Sequence, residues 1–96
     1  MYSVSMAYVI NNINNINIID IRPENIYKVG HISNAKNIPK NDLLVNYPNY
    51  LEKNRTYYIY CDRGITSSLV VNFLNSKGYD TLNIEGGYYR YLLMNK

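Results

Sequence analysis

The sequence predicts an α/β fold in which a mostly parallel central sheet is flanked by helices on both faces. Short β-branched runs alternate along the chain with segments of helical periodicity, and proline or glycine marks most of the boundaries. Strands separated by helices pair parallel, because a parallel pair needs a crossover long enough to hold a helix. Ninety-six residues, 47% of them hydrophobic, suit one packed domain spanning residues 1–96.

Each element has a local reason. Ser5 is placed to cap a helix running from Met6 to about Ile13. Asn17, Ile18, Ile19, Asp20 and Ile21 form a strand ended by Pro23, which has no N–H to give a ladder. Pro23 and the acidic Glu24 suit the first turn of a helix reaching Val29. Asp42–Val45 and Tyr47–Glu52 read as brief helical turns split around Pro48. Thr56 to Tyr60 is strand-prone throughout. The clearest helix follows, with Leu69, Val70, Phe73 and Leu74 on one face and Lys77 and Gly78 at its end. Thr81–Ile84 is a third strand, closed by Gly86 and Gly87. Tyr88, Tyr91 and Leu92 then give a C-terminal helix its apolar face.

Composition narrows the function. No apolar run approaches the roughly 20 residues of a membrane span, and no basic flank leads into an apolar stretch at the N-terminus. A cytoplasmic protein with no membrane partner is expected. One cysteine excludes an internal disulfide and, beside a single histidine, makes a zinc site implausible. The net charge of +3 favours small anions or acidic partners. The basic residues are scattered without an aromatic-plus-basic stripe, so no nucleic-acid partner is expected. Asn11, Asn12, Asn14, Asn15 and Asn17 fill exposed positions between core isoleucines rather than forming a prion-like tract.

The chemistry is expected beyond the carboxyl ends of the strands, where open α/β sheets bind ligands. The strand Thr56–Tyr60 runs into Cys61, Asp62, Arg63, Gly64, Ile65, Thr66 and Ser67, then the long helix. The chain's one cysteine therefore sits between a strand end and a helix N-terminus. Free amides and the positive end of the helix would stabilise a thiolate there and any anion beside it, raising its reactivity. Arg63 adds positive charge, and Gly64 lets the backbone fold tightly enough to aim N–H groups inward. A structural cysteine, buried as a small hydrophobe, would need no such cradle.

The segment CDRGITS resembles the active-site loop of the rhodanese-like sulfurtransferases, Cys-x-x-Gly-x-[Arg/Thr/Ser]-Ser. Two further segments match in order. Ile19-Asp20-Ile21-Arg22, then Tyr27, Gly30-His31-Ile32, Ala35, Asn37 and Ile38-Pro39, resemble the family's D-x-R and G-H-I-x-x-A-x-N-I-P signature. Ile84-Glu85-Gly86-Gly87-Tyr88 with Tyr91 resembles its E-G-G-[YF]-x-x-W element. The resemblance covers roughly residues 17–94. Tyr91 stands where tryptophan is usual, Asn34 where glycine is common, and Leu69, Val70 and Val71 where alanines are frequent.

The resemblance implies a cofactor-free, two-step sulfur transfer. Cys61 takes sulfur from a small anionic donor such as thiosulfate, and the persulfide passes it to cyanide, a thiol or a protein cysteine. The amides of Asp62 to Ser67 would stabilise the charges, with Asp62 partly offsetting Arg63. His31 is expected to brace a turn rather than act as a base. Asp20 is expected to hydrogen-bond loop backbone, and Arg22 and Glu85 to serve in buried ion pairs or hydrogen bonds. The loop lacks the arginine of related phosphatases that would grip a phosphoryl group. Two other readings stay open: a relay module charged only by a partner protein, and a redox sensor, which the missing resolving cysteine disfavours.

Overall fold

A computed structural model describes residues 2–95. Among them lie β1 (Ser3–Val4), α1 (Met6–Asn11), β2 (Asn17–Asp20), α2 (Glu24–Val29) and β3 (Lys36–Asn37). Then come α3 (Lys40–Tyr50), β4 (Thr56–Tyr60), α4 (Ile65–Ser76), β5 (Asp80–Ile84) and α5 (Gly87–Met94). The strands form one sheet in the order β1-β5-β4-β2-β3, and every pairing is parallel. No described helix is long and apolar enough to cross a membrane.

Side-chain alternation along the strands divides the core into two layers. Ile19, Tyr57 and Ile59 pack with Leu43 of α3, the following Leu51, and Val70, Val71 and Leu74 of α4. Ile18, Tyr58, Tyr60 and Ile84 pack with Met6 and Val9 of α1 and Tyr91 of α5. Helices therefore cover both faces. Cys61 continues the β4 alternation onto the α4 side.

Several local expectations shift. α1 ends at Asn11 and leaves Ile13 outside the helix. The helical run Lys40–Tyr50 is broken at Asn46 (φ −116°, ψ 23°), the residue between the two expected segments, but it starts at Lys40 rather than Asp42 and ends at Tyr50 rather than Glu52. That break places Pro48 in the first turn of the second half, where its missing N–H costs nothing. The buried face of α4 is Ser67, Val70, Val71 and Leu74, whereas Leu69 is 66% exposed. On α5 Tyr91 is buried but Leu92 is exposed. The two-residue strands β1 and β3 are too short to leave a periodic signature. Asn34 stands in the left-handed region (φ 70°), where its short polar side chain substitutes for glycine.

The sheet order sets where a ligand can enter. The chain leaving β2 crosses to β3 on one side, and the chain leaving β4 crosses to β5 on the other. Their carboxyl ends therefore part at a crevice between β2 and β4. Asp20 and Tyr60 face each other in register at its edge.

Candidate active site

Four residues, Cys61 to Gly64, turn the chain from β4 into α4. Gly64 makes the turn at φ 91°, and a β carbon there would also press on the Gly86 nitrogen at 3.1 Å. The tightness of the turn folds the head of α4 back over the thiol. Cys61 Sγ accepts hydrogen bonds from Gly64 N at 3.2 Å and Ser67 N at 3.3 Å. These are helix-start amides that the helix itself leaves free. Ser67 Oγ lies 3.2 Å from Sγ and donates to Asn83 Oδ1 at 2.5 Å. Asn83 Nδ2 in turn donates to Gly64 O at 3.2 Å.

The double glycine of the C-terminal motif holds this loop from outside. Tyr88 N donates to Cys61 O at 2.9 Å and Tyr89 N to Asp62 O at 3.0 Å. The front of Cys61, 8% exposed, opens onto a pocket of about 640 Å³ in the crevice between β2 and β4. Asp62 and Arg63 line it from the loop, Ile65 and Thr66 from the first turn of α4, Ile21 and Arg22 from the segment after β2, and Pro39, Lys40 and Asn41 from the start of α3. Gly64 and Ser67 stand behind the thiol.

A buried polar cluster supports the β2 wall. Arg22 grips Asp20 through Nε at 3.1 Å and Nη2 at 2.7 Å, and also donates to Gly30 O at 2.8 Å. Its backbone N donates to Asp20 Oδ1 at 2.9 Å, and Tyr88 covers the guanidinium 4.2 Å from its ring centre. Tyr60 Oη donates to Asp20 Oδ2 at 2.5 Å and accepts from Ile32 N at 3.0 Å. Burial opposes the charge on Arg22, but the hydrogen bond and charge of Asp20 prevail and raise its pKa. Burial, with the Asp20 hydrogen bond second, pushes the Tyr60 hydroxyl well above its ordinary range.

Two expected placements differ. Asp62 does not pair with Arg63; its nearest cation is Arg22 Nη1 at 3.7 Å. Arg63 instead lies over the Tyr89 ring at 4.0 Å. Glu85 is not buried: just past the end of β5 it turns to the surface, where Ser3 Oγ donates to it at 3.0 Å. His31 stands away from the pocket, stacked on Tyr27 at 3.8 Å with Nδ1 facing Tyr27 O at 2.9 Å. Among the described residues no three of His, Cys, Asp and Glu gather as metal ligands.

Sequence reasoning missed Asn83, Tyr60, Lys40 and Asn41. For Asn83 a signal existed, because Thr81 and Asn83 alternate as polar residues on a strand otherwise built for the core.

Residues 5–93 match the family model described as rhodanese-like domain. A rhodanese-like domain protein from Staphylococcus aureus superposes with a TM-score of 0.84 at 35% identity, covering 93% of this chain and 89% of that one. The tRNA sulfurtransferase of Thermoplasma acidophilum is 38% identical over 61 residues, 64% of this chain but only 12% of that protein. The thiosulfate sulfurtransferase GlpE of Shewanella oneidensis is 30% identical over 74 residues, 76% of this chain and 72% of that protein.

Proposed function

Because the chain belongs to the rhodanese-like domain family, we propose that it is a sulfurtransferase carrying sulfur on Cys61. The observation that carries this reading is a lone thiol at the floor of a crevice, with two helix-start amides aimed at its sulfur. Such donors stabilise negative charge on the sulfur without having to reorganise during the reaction.

In the first step the Cys61 thiolate attacks the outer sulfur of a thiosulfate-like donor. A new S–S bond forms, the donor's S–S bond breaks, and sulfite leaves with the electron pair. In the second step an acceptor nucleophile attacks the terminal sulfur of the persulfide, and the Cys61 thiolate is the leaving group. Splitting the transfer this way replaces one difficult displacement with two easier ones. Lys40, Arg63 and Arg22 on the wall favour an anionic donor, against the single carboxylate of Asp62. A single folded unit that needs no cofactor or metal suffices for this chemistry.

Steady-state thiocyanate production from thiosulfate and cyanide tests the reading. The expected kinetics are ping-pong, with activity abolished in Cys61→Ser; undiminished turnover in that variant overturns it.

The pocket favours a second reading in one respect. At about 640 Å³, with apolar walls at Ile21, Pro23, Pro39 and Ile65, it is far roomier than a five-atom anion requires. A relay module receiving sulfur from a partner protein would use that room for the partner's cysteine-bearing segment. Saturable turnover with free thiosulfate favours the enzyme; a persulfide that forms only from a protein donor favours the relay.

A further inference from the structure

We propose that Asn83 is a positioning residue that restrains Cys61 by holding the hydroxyl hydrogen of Ser67 away from its sulfur. The inference rests on the reading of Cys61 as the sulfur-carrying thiol, but it concerns only the hydrogen bonds around the unloaded side chain.

The orientation of the Asn83 amide is fixed by the loop. Nδ2 donates to Gly64 O at 3.2 Å, so Oδ1 faces Ser67. Turning the amide over would set Oδ1 against the Gly64 carbonyl, acceptor against acceptor, at a site only 8% exposed. Gly64 thus determines which atom Ser67 meets.

Ser67 is fully buried and has one hydrogen to give. Asn83 Oδ1 takes it at 2.5 Å, which leaves the lone pairs of Oγ facing Sγ at 3.2 Å. Those lone pairs accept the hydrogen of a neutral thiol and repel a thiolate. When the Cys61 proton leaves to water in the pocket, the Ser67 hydroxyl must rotate and donate to Sγ. Asn83 Oδ1, buried, then loses its donor. The two backbone amides, Gly64 N and Ser67 N, favour the thiolate; the Asn83–Ser67 pair works against them. The empty site is therefore held back from full reactivity by a residue that never touches the sulfur.

Cys61 is the chain's only cysteine, so its alkylation by iodoacetamide at one fixed neutral pH reads thiolate availability directly, with no sulfur donor present. Asn83→Ala frees the hydroxyl to serve the thiolate and is expected to speed alkylation about three- to ten-fold, the scale of one hydrogen bond. In a Ser67→Ala background the same substitution is expected to change the rate less than about two-fold. Asn83→Leu fills similar space without an acceptor and is likewise expected to speed alkylation; it decides the matter if Asn83→Ala does not fold. An unchanged or slower rate in Asn83→Ala or Asn83→Leu, or equal acceleration with and without Ser67, overturns the proposal. Loss of sulfurtransferase activity alone leaves these rates untouched, so the two readings fail separately.

Discussion

Gly87 backs onto Cys61 so closely that a β carbon there would overlap the Cys61 carbonyl oxygen and stand 2.6 Å from the Asp62 carbonyl oxygen. The conflict is with backbone on both sides, so no side chain can swing away to relieve it. Gly87 also holds φ at 59°, where a side chain adds about 1–2 kcal/mol of its own.

Gly87→Ala is therefore expected to cost more than about 2 kcal/mol in urea denaturation and to displace the loop carrying the thiol. Gly30→Ala is the contrast. There the obstructing atom is the Tyr88 hydroxyl at 2.5 Å, the far end of a side chain that can move. A Gly87→Ala protein as stable as Gly30→Ala would contradict the packing described.

Arg22→Met is expected to destabilise by about 3–5 kcal/mol, because it leaves the fully buried Asp20 carboxylate without its cation. Adding Asp20→Asn removes the orphaned charge and should recover part of that loss. Arg22→Lys cannot reproduce the two-pronged grip and should fall between. A cost below about 1 kcal/mol for Arg22→Met in denaturant titration would refute the assigned pairing.

Tyr60 supplies a pH signature. Burial first, then the Asp20 hydrogen bond, raises its folded pKa, while the unfolded side chain ionises near 10. A group raised in the fold contributes stability that is complete below its unfolded pKa and declines as pH rises above it. Above about pH 10 the natural protein should lose up to about 1.4 kcal/mol more per pH unit than Tyr60→Phe. Parallel stability curves for the two proteins from pH 9 to about 11 would contradict the burial of an intact hydroxyl there.

Much of this architecture was legible in the residues, and the failures have physical causes. β4 and α4 declare themselves because five strand-prone residues run into a strand-to-helix turn containing glycine, and the cysteine between them locates the site. β1 and β3 were invisible because two residues carry no period. Leu69 misled because Val71 and Ser67 rotate the buried stripe of α4 away from it. The partners of Asp62 and Arg63 were beyond reach, since adjacent residues on a turn point apart and each found its neighbour elsewhere in the chain, at Arg22 and Tyr89. Asn83 lies 16 residues from Ser67 in sequence, and only the packing of α4 against β5 brings them together.

Asp62 is 75% exposed at the pocket rim, 3.7 Å from the Arg22 guanidinium. Asp62→Asn removes the one carboxylate an anionic donor would meet on the pocket wall. The Michaelis constant for thiosulfate should fall, by no more than about five-fold, since the site is well solvated and salt-screened. The effect should shrink as ionic strength rises. A constant unchanged at low salt would remove Asp62 from donor selection.

Intact mass after brief exposure to thiosulfate asks most directly whether Cys61 carries sulfur. The natural protein should gain the mass of one sulfur atom and lose it on adding cyanide, while Cys61→Ser gains nothing. No mass gain in the natural protein, or an equal gain in Cys61→Ser, would contradict persulfide formation from thiosulfate at Cys61.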